Sequence, residues 1–198
     1  MNIAILGATG KFGREITAKL LTYPDYSLTA ISKSAGSIYE DSHRVTAKSI
    51  DATNRNDLEK ALENQDIVYC AVSGADLPVI ARNLVEINPK RVIFMTVVGI
   101  YNELAEDNGG EYNLDNEDEQ IPNRNAADII EESGLDYTIL RCGYLIHGKD
   151  DEYSITRKGE TPKGYITTIE SVKKVASEII AKPELYSKES ISITKDMS

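Results

Sequence analysis

Short uninterrupted apolar runs alternate along this chain with longer segments in which apolar residues recur at helical spacing. The first class reads as strands buried on both faces, the second as helices with one face on a core. Ile3–Leu6 is the first predicted strand, and a helix follows from about Lys11 with Phe12, Ile16 and Leu20 on one face. Leu28–Ile31 is a second strand, Val45–Ile50 a weaker third, and Ile67–Val72 a fourth with little polarity. A helix over Asp57–Glu63 is expected to be capped around Thr53 or Asn54, and Pro78 suits the first turn of a helix running to about Ile87. Arg91–Val98 is the fifth strand and the most continuously apolar. The helix Asn123–Glu132 closes at Ser133-Gly134, with Gly134 expected as a left-handed stop, and Tyr137–Leu140 is the sixth strand. Beyond Arg141 the pattern loosens into turns, a hairpin-like Tyr153–Arg157, a helix Ser171–Ala181 and a β-prone Ile191–Thr194.

This alternation predicts an α/β fold: a doubly wound parallel sheet in three αβα layers, one domain over residues 1–198, with a small C-terminal region on the substrate side. In such a sheet ligands sit beyond the carboxyl ends of the strands. The loops after Leu6, Ile31, Ile50, Val72, Val98 and Arg141 are therefore expected to converge on one crevice.

The net charge of −10 argues against nucleic acid and against anionic membrane surfaces, both of which select basic patches. No apolar run has the length of a transmembrane helix, and Ile3–Leu6 is too short for a signal-peptide core. Cys70 and Cys142 lie far apart in apolar segments, so no disulfide framework is predicted and a reducing cytoplasm is the expected compartment. With His43 and His147 the only histidines, no multi-histidine metal centre is expected. Monomer and homodimer both remain open.

The chemistry is carried by the turn after the first strand. Gly7, Gly10 and Gly13 follow a G-x-x-G-x-x-G spacing that leaves a strand and opens an amphipathic helix. Glycine permits positive φ and close approach of a ligand to the backbone, and the helix N-terminus presents N–H groups and a favourable dipole to a phosphate. The Gly10-Lys11 pair is not a P-loop, because the glycine spacing is too short and Phe12 stands where a Ser or Thr belongs.

Three stretches, Gly7-Ala-Thr-Gly-Lys-Phe-Gly13, Asp51-Ala52 and Ser133-Gly-Leu-Asp-Tyr-Thr-Ile-Leu-Arg141, resemble the atypical short-chain dehydrogenase/reductases. The branch they are most similar to is the NmrA-like, single-domain NAD(P)-binding proteins that include flavin and biliverdin reductases. The resemblance spans nearly the whole chain. It implies a Rossmann fold, with the cofactor pyrophosphate over the turn Gly7–Gly13, chiefly Thr9, Gly10, Lys11 and Phe12. It further implies the adenine near Asp51 and Ala52, and the nicotinamide between Val72, Ser73 and Gly74 and the end of the fifth strand at Thr96. An NAD site wants a carboxylate about twenty residues past the glycines. Here Ser32 and Lys33 stand at the end of the second strand, suited to a 2′-phosphate, with no carboxylate there to repel it. NADP(H) is therefore the expected cofactor, with NAD(H) possible.

Typical members use Tyr-x-x-x-Lys as acid and cofactor clamp, with a Ser or Thr on the fifth strand polarising the carbonyl. Aligned to that pattern, this chain has Gln120 at the tyrosine, Arg124 at the lysine and Val97 at the serine, with Thr96 facing the other way. Tyr101 and Tyr112 are alternative acids, but neither has a lysine four residues on. Tyrosine-dependent carbonyl reduction is thus disfavoured. Two readings survive. One is an NADPH-dependent reductase whose flavin- or quinone-like acceptor needs only proximity to the nicotinamide, with Arg124 holding ribose, phosphate or substrate. The other is an NmrA-like protein that binds NAD(P) and reports redox state to a partner. An open, aromatic-lined slot around Tyr144 favours the first.

Of the remaining residues, Cys142 and Cys70 read as small buried hydrophobes, His147 as a solvent-exposed turn residue, and Arg141 as a structural cation tied to a nearby carboxylate. The acidic segment Glu103–Glu119, which contains no Lys or Arg, reads as a solvated loop.

Overall fold

The computed structural model describes residues 1–148 and 152–196. The elements run β1 (Asn2–Leu6), α1 (Lys11–Leu20), β2 (Ser27–Ser32), β3 (Val45–Ser49), α2 (Arg55–Ala61), β4 (Ile67–Cys70), α3 (Leu77–Ile87) and β5 (Val92–Val97). They continue as α4 (Ile121–Glu131), β6 (Tyr137–Cys142), β7 (Tyr144–Ile146), β8 (Ser154–Arg157), β9 (Ile166–Thr168), α5 (Ile169–Ala181) and β10 (Glu189–Thr194). Eight strands form one sheet in the order β3-β2-β1-β4-β5-β6-β10-β8. All its pairings are parallel except β10 with β8, and β7 pairs with β9 in a separate parallel ribbon. The fold is Rossmann-like, with the strand order reversing between β1 and β4.

Alternation along each strand builds two cores. Ile3, Ile5, Tyr69, Ile93 and Leu140 face α1 and α5, whereas Ala4, Leu6, Val68, Phe94 and Ile139 face α2, α3 and α4. Each fully buried aliphatic side chain contributes about 1.5–3 kcal/mol relative to exposure, so the central strands are the most strongly specified part of the fold. The same alternation puts Cys70 and Cys142 on opposite faces of the sheet, both buried and unbridged.

Most predicted elements appear within a few residues of their expected bounds, and Asn54 caps α2 by accepting from the Asp57 amide. Three expectations are corrected. Gly134 is not left-handed; α4 ends with Glu132 in right-handed geometry, and Ser133 Oγ donates to Ile130 O at 2.6 Å and accepts from Leu135 N. A hydroxyl does the capping that the glycine was expected to do. Tyr153–Arg157 is not a hairpin of its own, because β8 adds to the main sheet through β10.

The third correction concerns the acidic segment, which is pinned rather than merely solvated. Glu106, Asp107, Glu111, Asp115, Asp118 and Glu119 are exposed as expected. Glu103, however, is buried against Arg141, and its second oxygen accepts from the Tyr101 amide at 2.9 Å. Asn113 brackets Leu104 with two hydrogen bonds, and the 3₁₀ turns Gly110–Tyr112 and Asp118–Gln120 carry the chain to α4. Arg141 is therefore structural, as the sequence suggests, and its partner comes from the segment that looked free.

Candidate functional site

The glycine turn joins β1 to α1. Gly7 is left-handed (φ 77°), and its amide and that of Ala8 both donate to Ile31 O, which fastens the turn to β2. A Cβ on Gly13 would lie 2.0 Å from Gly7 O, so only glycine lets the helix start this close to the strand. Gly10 is different. Its backbone is extended (φ −67°, ψ 166°), and an added Cβ meets nothing but Gly7 O at 3.2 Å. The fold itself does not demand glycine there. Gly10 is the N-cap of α1 and makes no side-chain cap, so the first-turn amides of α1 receive no side-chain acceptor from it. It also lines a cavity. Such a turn is suited to an anionic ligand approaching the backbone.

Two cavities flank this turn, and between them they draw on all six strand ends expected to converge. The first, about 270 Å³, takes Gly7 and Thr9 from the β1 turn, Ser32 and Lys33 from β2, and Asp51 and Ala52 from the segment after β3. Its polar floor is a hydroxyl chain: Ser34 Oγ donates to Thr9 Oγ1, which donates to Ser32 Oγ at 3.0 Å. Lys33 Nζ lies 2.9 Å from Asp51 Oδ2. A carboxylate is thus present at this site, contrary to the expectation drawn from local sequence; it arrives from the neighbouring strand. The Lys33 hydrogen bond, followed by donation from the Thr53 amide and hydroxyl, holds Asp51 down at about 2. The same pairing raises the Lys33 ammonium above its ordinary range.

The second cavity, about 250 Å³, lies on the other side of the turn and is lined by Gly10, Lys11 and Phe12, by Val72 and Ser73, and by Thr96 and Val97 at the end of β5. Thr96 and Val97 both border it, although their side chains were expected to face opposite ways. Thr96 Oγ1 is buried without a partner among the described residues. Gly74, also expected here, is left-handed (φ 101°) in the turn leading to α3 and is not among the lining residues.

Beyond Val97, Cys142 and Gly143 this cavity abuts a narrower slot of about 130 Å³. Its walls are Tyr112, Tyr144, Tyr165 and Gln120, with the Tyr112 and Tyr165 rings 5.4 Å apart between centroids. Tyr144 is 67% exposed and forms the mouth. Gly143 is required beside it, because a Cβ there would lie 2.3 Å from Tyr165 O. Burial pushes the Cys142 thiol up to about 12, so it borders the cavities as a protonated, weakly polar group.

Arg124 lines neither cavity nor slot. Its Nε binds both oxygens of Asp128 at 2.8 Å, its Nη1 donates to Ile100 O, and its guanidinium stacks 5.0 Å over the Tyr101 ring. Its neighbour Asn123 borders the second cavity instead. Tyr101 is partly buried, bonded to Glu131 and Ser190, and pushed well above its ordinary range by desolvation. Tyr101 is therefore unsuited to give up a proton. His147 is exposed. Sequence reasoning missed Asn123, Met95, Leu145 and Tyr165; Asn123, in the first turn of α4, carried the only usable signal. A larger groove of about 430 Å³ between α1 and α5 is walled by Lys19, Lys173, Glu170 and Glu178 and shares no lining residue with the cavities at the glycine turn.

Comparison with known proteins agrees with this geometry. Residues 7–183 match a family model described as NAD(P)H-binding. A Rossmann-fold NAD(P)-binding family protein from Shigella flexneri superposes with a TM-score of 0.83 at 31% identity, covering 100% of this chain and 94% of that one. A short-chain dehydrogenase/reductase from Veillonella parvula, solved in complex with NADP, gives a TM-score of 0.88 at 27% identity, covering 99% and 95%. An uncharacterized membrane protein of Methanocaldococcus jannaschii is 27% identical over 105 residues, half of this chain, and the chain covers only 30% of that protein's length. Among the described residues no helix is long and apolar enough to cross a membrane.

Proposed function

The chain belongs to the NAD(P)H-binding family, and on that premise we propose that it is a reductase passing hydride from NADPH to a planar aromatic acceptor. The observation that carries this reading is the aromatic slot, with no lysine among its described lining residues, that abuts the cavity at the end of β5. When bound, the nicotinamide supplies a hydride, so that NADPH, acceptor and one proton from water become NADP⁺ and the dihydro acceptor.

The residues present fit such a cofactor. The uncapped first turn of α1 and the backbone over Thr9–Phe12 would hold the pyrophosphate, with Gly10 leaving room for it. Ser32 and Lys33 would take a 2′-phosphate, Asp51 and Ala52 would border the adenosine, and Val72 and Ser73 would flank the nicotinamide. The orphaned Thr96 hydroxyl would receive its carboxamide. Arg124 acts through its neighbours, bracing Tyr101 and α4, and Asn123 takes the place beside the cofactor that Arg124 was expected to fill.

Tyr112, Tyr144 and Tyr165 line the slot, and such aromatic walls favour a flat acceptor, whose positioning beside the nicotinamide is what hydride transfer depends on. Val97 in place of a hydroxyl leaves a carbonyl substrate unpolarised. The test is NADPH oxidation with flavins and quinones set against aldehydes and ketones. The flavin or quinone rates are expected to exceed every carbonyl rate, and a robust carbonyl reductase activity would overturn the proposal.

A further inference from the structure

Gln120 is only 8% exposed, at the end of the 3₁₀ turn that leads into α4. Its Nε2 donates to Tyr112 O at 2.9 Å. That carbonyl is itself confined, because a Cβ on left-handed Gly99 would lie 2.2 Å from it. The amide is therefore held in one orientation, with Oε1 directed away from Tyr112 O. Oε1 is shielded from solvent and has no hydrogen-bond partner among the described residues. The side chain borders the aromatic slot, whose other walls are tyrosine rings, Val97, Val98 and Cys142. A buried amide oxygen without a donor is costly, and an N–H brought into the slot by a ligand would relieve that cost.

Building on the reductase reading above, we infer that Gln120 determines which planar acceptors the slot takes: rings presenting an N–H at their edge, as a cyclic imide or lactam does. A quinone edge carries only acceptor oxygens, which would face Oε1 lone pair to lone pair. The slot's aromatic walls then select flatness and Gln120 selects the donor.

The experiment measures binding rather than turnover. Lumiflavin and 3-methyllumiflavin, which differ by one methyl on the imide nitrogen, are titrated by fluorescence into the full chain saturated with NADP⁺. Wild type is expected to bind lumiflavin at least about tenfold more tightly. Gln120→Met, which removes the acceptor, is expected to bind the two equally. Gln120→Glu keeps an acceptor oxygen while losing the donation to Tyr112 O, and is expected to retain the preference. Loss of the preference in both variants alike would mean that Gln120 only props the turn, and would overturn the inference. Equal wild-type affinities would also overturn it, while NADPH oxidation by both rings would leave the reductase reading standing. Failure of wild type to bind either ring would overturn both.

Discussion

Gly10→Ala separates a turn that only folds from a turn that holds a pyrophosphate. The backbone at Gly10 is open to any residue, and the new Cβ meets a single atom, Gly7 O, at 3.2 Å. A shift of a few tenths of an ångström relieves that contact. Alanine also reduces the freedom of the unfolded chain, which stabilises by about 0.4–1 kcal/mol where the native backbone suits it. The net effect on stability is expected within about 1 kcal/mol, or about 2–4 °C in Tm for a chain of this size. At Gly13 the balance is opposite. There the Cβ would overlap Gly7 O at 2.0 Å and Gly7 C at 2.8 Å, backbone atoms with nowhere to swing. Overpacking of this kind costs about 1–3 kcal/mol or more, so Gly13→Ala should lower Tm by about 5 °C or further. Cofactor affinity reverses the ranking relative to stability. A methyl at Gly10 blocks approach to the helix N–H groups, and losing a charge-assisted hydrogen bond of about 1.5–3 kcal/mol weakens NADPH about ten- to hundredfold. Thermal unfolding and NADPH fluorescence titration on the same preparations read both quantities. Wild-type NADPH affinity in Gly10→Ala would refute the reasoning, as would a Tm loss equal to that of Gly13→Ala.

The ion pair Lys33–Asp51 gives a second prediction: Lys33→Ala weakens NADPH by about fivefold, a modest loss in keeping with an exposed cation, and leaves NADH unchanged. Asp51→Asn should act in the opposite sense on NADPH, because it frees Lys33 and removes a negative charge; equal effects on the two cofactors in titration would dismiss the pair as their discriminator. Glu103→Ala strands the fully buried Arg141, which among the described residues then keeps the Ser190 hydroxyl, the carbonyls of Ser190 and Thr156 and the face of Tyr101, and should cost about 3–5 kcal/mol by denaturant unfolding. Burial holds the thiols of Cys70 and Cys142 near 12, so at pH 8 both stay protonated; the native protein should resist alkylation, and mass spectrometry should find both modified only after unfolding.

The parts of the site that were legible in the sequence are those fixed by local spacing. The three glycines, the apolar strand before them and the amphipathic helix after them lie in one continuous stretch, and each constrains the next. The distinction between Gly10 and its two partners was not legible, since it depends on how tightly the turn folds Gly13 onto Gly7 and on Ala71, which the sheet brings beside Gly7. Lys33 was visible, but Asp51 reaches it across β2 and β3, whose register sets Ile31 beside Lys48 and Ser32 beside Ser49. The Gln120 position came from motif counting, whereas its buried oxygen emerges from the fold of a segment that composition marked as plain solvated loop. Arg141 announced that it needed a carboxylate without saying which, and Glu103 was hidden among neighbours that do stay in water. Tyr165 has no sequence signal at all: it follows a turn-rich stretch without periodicity and gains its role only from the β7–β9 ribbon.

The most direct measurement is a single-turnover reaction under anaerobic conditions, in which NADPH bound to the protein is mixed with lumiflavin and both chromophores are followed. Direct hydride transfer into the aromatic slot predicts that NADPH and oxidised flavin disappear together at one rate, and that deuterium at the transferring position of NADPH slows both. Persistence of NADPH in the presence of flavin, alongside its rapid oxidation by an aldehyde or ketone, would contradict the account.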